Sequence, residues 1–358
     1  MYFILLVSVF IIFISYFIYK FYNKSPKQYI TYEGDCAGFN NRRMGAELIF
    51  TLALLYKRTI IIPPPHPWPH INQNSNITDY FDIENLRKKY NIIFASEYEP
   101  TKNMNYEDFI RYMEKNKKFD GLEEVNPEVN TFIKCKYIFD KNKDNNIWFF
   151  PMCRNNMKIR MLGNFDAYFQ NYPSIKSLRK IINQSFKFKK KFKNLTLKTL
   201  KLNNIKNNEE YYALHIRKTD FAYYRPHLNK LTELSNIISV IKEHIPPYKK
   251  ILIISDENND FFHPLKKFHN IITLKYDPSI SKKDIQIIDL LACTYAYKFI
   301  GTPLSTYSYY IIILRNQSKK NIDKTIYFLD QNFNCLVANQ NWHVKNGWSQ
   351  IHPDRLIN

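Results

Sequence analysis

Hydrophobic residues in this chain fall into short unbroken runs, with stretches of helical periodicity between them. That is the pattern of parallel strands buried on both faces and joined by helices. Tyr29-Ile30-Thr31-Tyr32 and Thr59-Ile60-Ile61-Ile62 are two such runs. Between them Leu48, Ile49, Leu52, Ala53 and Leu55 recur at the spacing of a helix over residues 44–56, with Gly45 in its first turn. Strand, glycine-bearing turn and helix predict a βαβ unit whose turn, carrying Gly34 and Gly38, aims backbone N–H groups at an anion. Trp148-Phe149-Phe150 is a further strand candidate. The second half repeats the alternation: a strand ending at His215, a helix over 231–244, strands at 251–254 and 271–274, a helix over 285–296 and a strand at 298–300. Two α/β domains follow, with their junction expected between 194 and 208.

Before these, residues 2–19 carry no charge and at about 1.5 Å per residue span roughly 27 Å, near the thickness of a bilayer core. Lys20 and Lys24 follow in place of a small-residue cleavage site, so residues 1–22 are expected to be a retained anchor and 23–28 a short stem broken by Pro26. Lys20, Lys24 and Lys27 would keep that flank cytoplasmic by the positive-inside rule.

The 358 residues carry a formal charge of +20, which raises nucleic acid as a partner. The lysines are spread among asparagines and isoleucines with no nucleic-acid-binding motif, so no nucleic acid is expected. The densest run, Lys187, Lys189, Lys190, Lys191 and Lys193, reads as a solvated face closing the first domain. Five cysteines lack metal-like spacing, and Cys135 with Cys153 could pair in a lumenal compartment. Sequons stand at Asn76, Asn183, Asn194 and Asn316. Prolines between His66 and His70 rule out helical metal ligation, and no Asp-x-Asp pair is present to hold a divalent cation on a diphosphate. No metal and no cofactor are expected.

Candidate chemistry concentrates where the apolar run Tyr211-Tyr212-Ala213-Leu214 ends in His215-Ile216-Arg217-Lys218-Thr219-Asp220. Alternation puts His215 and Arg217 on one face, and a guanidinium fork matches a phosphate in two-point geometry. An Arg217–Asp220 ion pair closing the strand is the competing reading. Two further strand ends carry polar groups, Ser255-Asp256-Glu257 and Gly301-Thr302-Pro303-Leu304-Ser305-Thr306-Tyr307-Ser308. The second could bind phosphate at a helix N-terminus or serve only as a helix cap. Arg42 and Arg43 read equally as ligands or as helix-surface charges.

Three stretches in order resemble the GDP-fucose protein O-fucosyltransferases and their α1,2/α1,6-fucosyltransferase relatives. They are Ala37-Gly38-Phe39-Asn40-Asn41-Arg42-Arg43 followed by Ile61-Ile62-Pro63-Pro64, then His215-Ile216-Arg217-Lys218-Thr219-Asp220, and finally Asp289 through Phe299-Ile300-Gly301 to Ser305-Thr306-Tyr307-Ser308. The resemblance implies a GT-B fold, with an N-terminal Rossmann-like acceptor-side domain over 29–200, a GDP-fucose-binding domain over 205–335 and a tail over 336–358. It implies an inverting, metal-independent transfer of fucose to a protein hydroxyl or a glycan, in an ER or Golgi lumen, by a single-pass membrane enzyme. Arg217 would hold the β-phosphate and His215 the nucleotide side. Ser305, Thr306 and Tyr307 would hold the diphosphate, and Asp289 the guanine or ribose. Gly38, Phe39 and Asn40 would approach the donor across the cleft. The family's general-base glutamate is replaced by Ala37, leaving Asp35, Glu33 or a water to take the acceptor proton. A catalytically silent membrane-anchored binder of glycan or nucleotide is the alternative.

Overall fold

Four- to six-residue apolar strands form the centres of two parallel sheets. The structure is a computed structural model describing residues 27–34, 38–68, 71–120, 132–151, 173–219, 229–267, 269–302, 305–317 and 325–327. The first half contributes β1 (Tyr29–Tyr32), β2 (Thr59–Ile62), β3 (His66–Trp68), β4 (Gln73–Ser75), β5 (Ile92–Phe94), β6 (Phe119–Asp120) and β7 (Ile147–Phe150). Its main sheet runs β5-β2-β1-β7-β6, all parallel, while β3 and β4 form an antiparallel pair beside it. The second half contributes β8 (Tyr212–Ile216), β9 (Lys250–Ser255), β10 (Asn270–Ile272), β11 (Lys298–Gly301) and β12 (Thr325–Tyr327). These form a parallel sheet in the order β10-β9-β8-β11-β12, the order of a Rossmann half.

The first helix spans Phe39–Leu55 rather than starting at residue 44. Gly38, extended at φ −61° and ψ 164°, is its N-cap, and its carbonyl accepts from the N–H groups of Asn41 (3.0 Å) and Arg42 (3.3 Å). The residues expected as loop, Phe39-Asn40-Asn41-Arg42-Arg43, are thus helical, and Gly45 lies beyond the first turn. Apolar periodicity missed this start because the helix buries Asn40, Arg43 and Glu47 alongside its leucines. Arg43 is fully buried, which corrects the surface reading.

The helix Lys190–Leu202, expected within the N-terminal domain, packs against the helix Lys282–Tyr295 of the second half, with Lys191 on Asp284 (3.1 Å) and Lys198 on Asp277 (3.0 Å). Its lysines are exposed as expected, but Phe186 and Phe192 among them are buried. Phe186 packs on Phe50 and Phe81, so the run is amphipathic. Asn76, one of the sequons, is buried, donating its side-chain amide to the Pro63 carbonyl (2.7 Å) and capping the next turn, and is closed to glycosylation in the folded chain.

The helices Phe39–Leu55 and Thr306–Gln317 pack together, and one buried cluster runs from Ile30 and Leu48 to Phe299 and Tyr310, joining the halves. The anchor, stem residues 23–26 and the tail, with Asp35, Ala37, His70, Cys153 and Asp220, lie outside the described residues. Among the described residues no helix is long and apolar enough to cross a membrane. Cys293 is a buried free thiol.

Candidate active site

Strand order in the second sheet reverses between β8 and β11, so a crevice opens beyond the carboxyl ends of those two strands. Thr302, fully buried, ties the ends together. Its backbone N–H (3.1 Å) and its hydroxyl (2.8 Å) both donate to the His215 carbonyl, and the same hydroxyl accepts from the Arg217 N–H (2.9 Å). The His215 ring is buried with Nδ1 2.7 Å from the Ser308 hydroxyl, and it lies against Tyr307 at 4.8 Å between centroids. Burial, reinforced by the Arg217 charge, lowers its pKa to about 3, so the imidazole is neutral at working pH. Ser308 approaches so closely because residue 301 is glycine: a β-carbon there would stand 2.8 Å from Ser308 Oγ and 2.9 Å from Phe299.

Arg217 follows β8 directly. Its Nε lies 3.4 Å from Asp256 at the end of β9, and 39% of its side chain remains exposed. Asp256 also accepts from the Lys218 N–H (2.8 Å) and the Thr219 hydroxyl (2.7 Å), fixing the turn. Asp220, the partner expected from the sequence, lies outside the described residues; among the described ones Asp256 faces Arg217. Loosening Arg217 in Asp256→Asn should lower kcat about fivefold, as loss of a partly exposed ion pair worth about 1 kcal/mol implies. Steady-state kinetics checks this, with the KM for donor expected to change less than kcat.

Ser305 is buried and its hydroxyl accepts from the Tyr307 N–H (3.3 Å), so it caps the helix Thr306–Gln317. Cap and phosphate site are compatible, because the remaining N–H groups of the first turn still lack intrahelical partners. The Tyr307 hydroxyl donates to the Gln286 carbonyl (2.7 Å), which takes its phenol away from a diphosphate. Asp289, on the neighbouring helix, accepts from the Tyr276 hydroxyl (2.5 Å). Burial raises its carboxyl to about 7, an upward shift that the Tyr276 bond only partly offsets.

The sign of the Asp289 shift gives a pH prediction. The folded chain binds a proton there that the unfolded chain releases from about pH 4 upward, so stability falls as pH rises from about 4 to about 7. Asp289→Asn should flatten that slope in thermal melts recorded from pH 4.5 to 7.5.

In the first half the corresponding crevice lies past β1. Gly34 donates its N–H to the Tyr106 hydroxyl (3.2 Å), Tyr106 stacks on His66 (4.7 Å), and His66 meets Arg42 Nη2 through Nδ1 (3.0 Å). Arg42 Nη1 donates to Ser75 (2.8 Å), and its guanidinium covers Trp68 at 4.7 Å. Burial and then the Arg42 charge lower the His66 pKa to about 3. A β-carbon at Gly34 would stand 1.9 Å from the His66 ring, so glycine is required there. Gly34, Arg42, His66 and Ser75, with Tyr32, Phe39 and Tyr80, line a cavity at the start of the helix. Asn40 is buried in that first turn and neither its Oδ1 nor its Nδ2 has a hydrogen-bond partner, an unmet demand that a substrate could satisfy. Among the described residues no group of three or more His, Cys, Asp or Glu is placed to hold a metal.

A sequence model of the family described as GDP-fucose protein O-fucosyltransferase matches residues 29–317, which takes in both crevices and every strand of the two sheets except β12. The chain belongs to that family. It is a GDP-fucose-dependent fucosyltransferase. No curated protein sequence matches it. Among solved structures, the apo form of POFUT1 is 14% identical with a TM-score of 0.56, covering 85% of this chain and 99% of that one. A POFUT1 complex with GDP-fucose is 15% identical with a TM-score of 0.56 and the same coverage. An Arabidopsis thaliana FUT1 variant in complex with GDP is 12% identical with a TM-score of 0.50, covering 82% of this chain and 70% of that one. At these identities the likeness shows the fold, which is GT-B.

Of the fucosyltransferase residues picked out from sequence, the structure gathers His215, Arg217, Ser305 and Tyr307 at the ends of β8 and β11, with Thr306 in the same turn and Asp289 on the adjacent helix. Gly38, Phe39 and Asn40 lie together in the first half. Phe39 is committed to a ring cluster with Tyr80, Phe81 and Phe188. Thr302, Asp256 and Tyr106 were given no role from sequence, while Arg42 was read equally as a ligand or a surface charge. Asp256 gave a signal, an acidic residue at a strand end, but its partner is set by the pairing of β8 with β9. Thr302 gave none beyond its place after a glycine.

Proposed function

We propose that this fucosyltransferase moves fucose from GDP-fucose to a hydroxyl of a protein or glycan by direct, metal-independent displacement with inversion at the anomeric carbon. The observation that carries this reading is Arg217, held by Thr302 and Asp256 at the switch point of a Rossmann sheet, one strand from an open helix N-terminus. The acceptor oxygen forms a bond to the anomeric carbon as the bond from that carbon to the β-phosphate oxygen breaks. Arg217 meets the charge that grows on the departing phosphate. The N-terminal turn of the helix Thr306–Gln317 and its dipole bind the diphosphate. Neutral His215 contacts the nucleotide side, Asp289 the guanine or ribose, and Asn40 the reacting sugar from the opposite half. The acceptor proton passes to Glu33, to Asp35 or to water. The catalytic body is tethered by residues 2–19 and acts in the lumen of the ER or Golgi. The domain limits 29–200 and 205–335 describe the acceptor and donor halves, the helix Lys190–Leu202 bridging them by its packing on the second.

The test is the reaction of GDP-fucose and a mixed protein and glycan acceptor pool in excess chelator, with the anomeric configuration of the product read by proton NMR. Turnover in chelator giving the inverted anomer is expected. Retained configuration, or activity restored only by added divalent ions, contradicts the mechanism.

A further inference from the structure

Among the described residues, one deeply buried charged cluster belongs to neither crevice. Glu47 is fully buried and receives Arg43 Nε (2.8 Å), Arg179 Nη1 (2.7 Å) and the Tyr310 hydroxyl (2.9 Å). These groups come from three helices: Phe39–Leu55, Ile175–Ser185 and Thr306–Gln317, the last belonging to the donor half. The Arg43 guanidinium stands 4.3 Å from the ring of Tyr310, 5.3 Å from Phe81 and 5.6 Å from Phe188, so it too faces both halves. Burial alone would raise the Glu47 pKa, but Arg179 and Arg43 outweigh it and hold the carboxyl below its ordinary range. The carboxylate is therefore charged in the folded protein.

Buried ion clusters are weak sources of net stability, since apolar side chains of the same volume often do as well or better. What such a cluster adds is directional geometry. Here the direction bears on the chemistry, because two of the three helices, Phe39–Leu55 and Thr306–Gln317, begin at a crevice. Glu47 lies two turns, about 10 Å of helix, beyond Asn40, and Tyr310 lies one turn, about 6 Å, beyond Thr306. We infer that Glu47 and Tyr310 are positioning residues: their bond across the halves fixes the spacing and angle between the Asn40 turn and the diphosphate turn. This rests on the donor-site reading above and extends it, since a donor held at one turn must meet an acceptor presented beside the other.

The test uses the full chain with Tyr310→Phe, which keeps the ring against Arg43 and removes only the hydroxyl, and with Glu47→Gln as a second variant that removes the charge. Three quantities are read: GDP affinity by calorimetry, kcat and KM for GDP-fucose turnover, and amide exchange across both helices. Tyr310→Phe is expected to leave GDP affinity within about twofold, as a change outside the nucleotide's contacts should. It should lower kcat at least about tenfold, the scale of a misplaced reacting group. Exchange should quicken together in residues 39–55 and 306–317. Wild-type kcat with wild-type exchange overturns the inference. So does a loss of GDP affinity as large as the loss of kcat, which would make Tyr310 part of donor-site packing. If the wild-type chain consumes no GDP-fucose, the donor reading fails on that result alone, and the exchange of the two helices still decides whether they are coupled.

Discussion

Arg217→Ala should reduce kcat for GDP-fucose turnover by about 10²- to 10³-fold while lowering GDP affinity far less. The asymmetry follows from where charge develops. Ground-state GDP-fucose already carries a diphosphate that the helix N-terminus can bind, but negative charge on the β-phosphate grows only as the sugar bond breaks, and a group aimed at that growing charge acts mainly on kcat. Arg217 can be removed without collapse of its surroundings because 39% of its side chain is exposed and its backbone is held separately by Thr302. Arg217→Lys should rescue little, since an ammonium supplies the charge without the two-point fork. Calorimetry with GDP and single-turnover kinetics with GDP-fucose separate the two effects. Equal losses in both would make Arg217 a ground-state binding residue only.

Gly301→Ala should be the most damaging single-methyl change in the donor half. Its added carbon would stand 2.8 Å from Ser308 Oγ and 2.9 Å from both Ser308 Cβ and Phe299, and the serine backbone-proximal carbon has no rotamer in which to escape. Ser308 must move, and with it goes the hydrogen bond that orients His215. Overpacking of this kind costs about 1–3 kcal/mol. Thermal melts should show that loss, and donor affinity should fall about tenfold as the displaced His215 leaves the nucleotide side. A second variant, Ser308→Ala, removes the hydroxyl without the clash. It should lower donor affinity with little change in melting temperature, so the two contributions can be told apart.

How much of this was legible in the chain depended on what each residue answers to. The strands at Tyr29–Tyr32 and Thr59–Ile62 have the bounds their apolar runs gave, because a strand buried on both faces reads directly as hydrophobic letters. The start of the helix Phe39–Leu55 did not, since its first turns bury polar and charged side chains that an apolar period passes over. Arg43 and Glu47 illustrate the cause. Their burial is made tolerable by Arg179, Tyr310, Phe81 and Phe188, which come from distant stretches and are invisible to any local pattern. The polar strand end at His215 was recognisable as a site, yet Asp256 as the partner of Arg217 depended on the register of β8 with β9. Ser305 was read both as a cap and as a phosphate contact; the structure shows the cap, and the two roles share one geometry.

The central claim is that the crevice beyond β8 and β11 takes GDP-fucose. Its most direct measurement is GDP release in chelator by the wild-type chain offered GDP-fucose, GDP-mannose, UDP-galactose or UDP-glucose in turn, with calorimetry of GDP and UDP alongside. GDP binding without UDP binding is expected, with turnover of GDP-fucose above every other donor. Preference for a uridine nucleotide, or no binding of GDP at all, would contradict it.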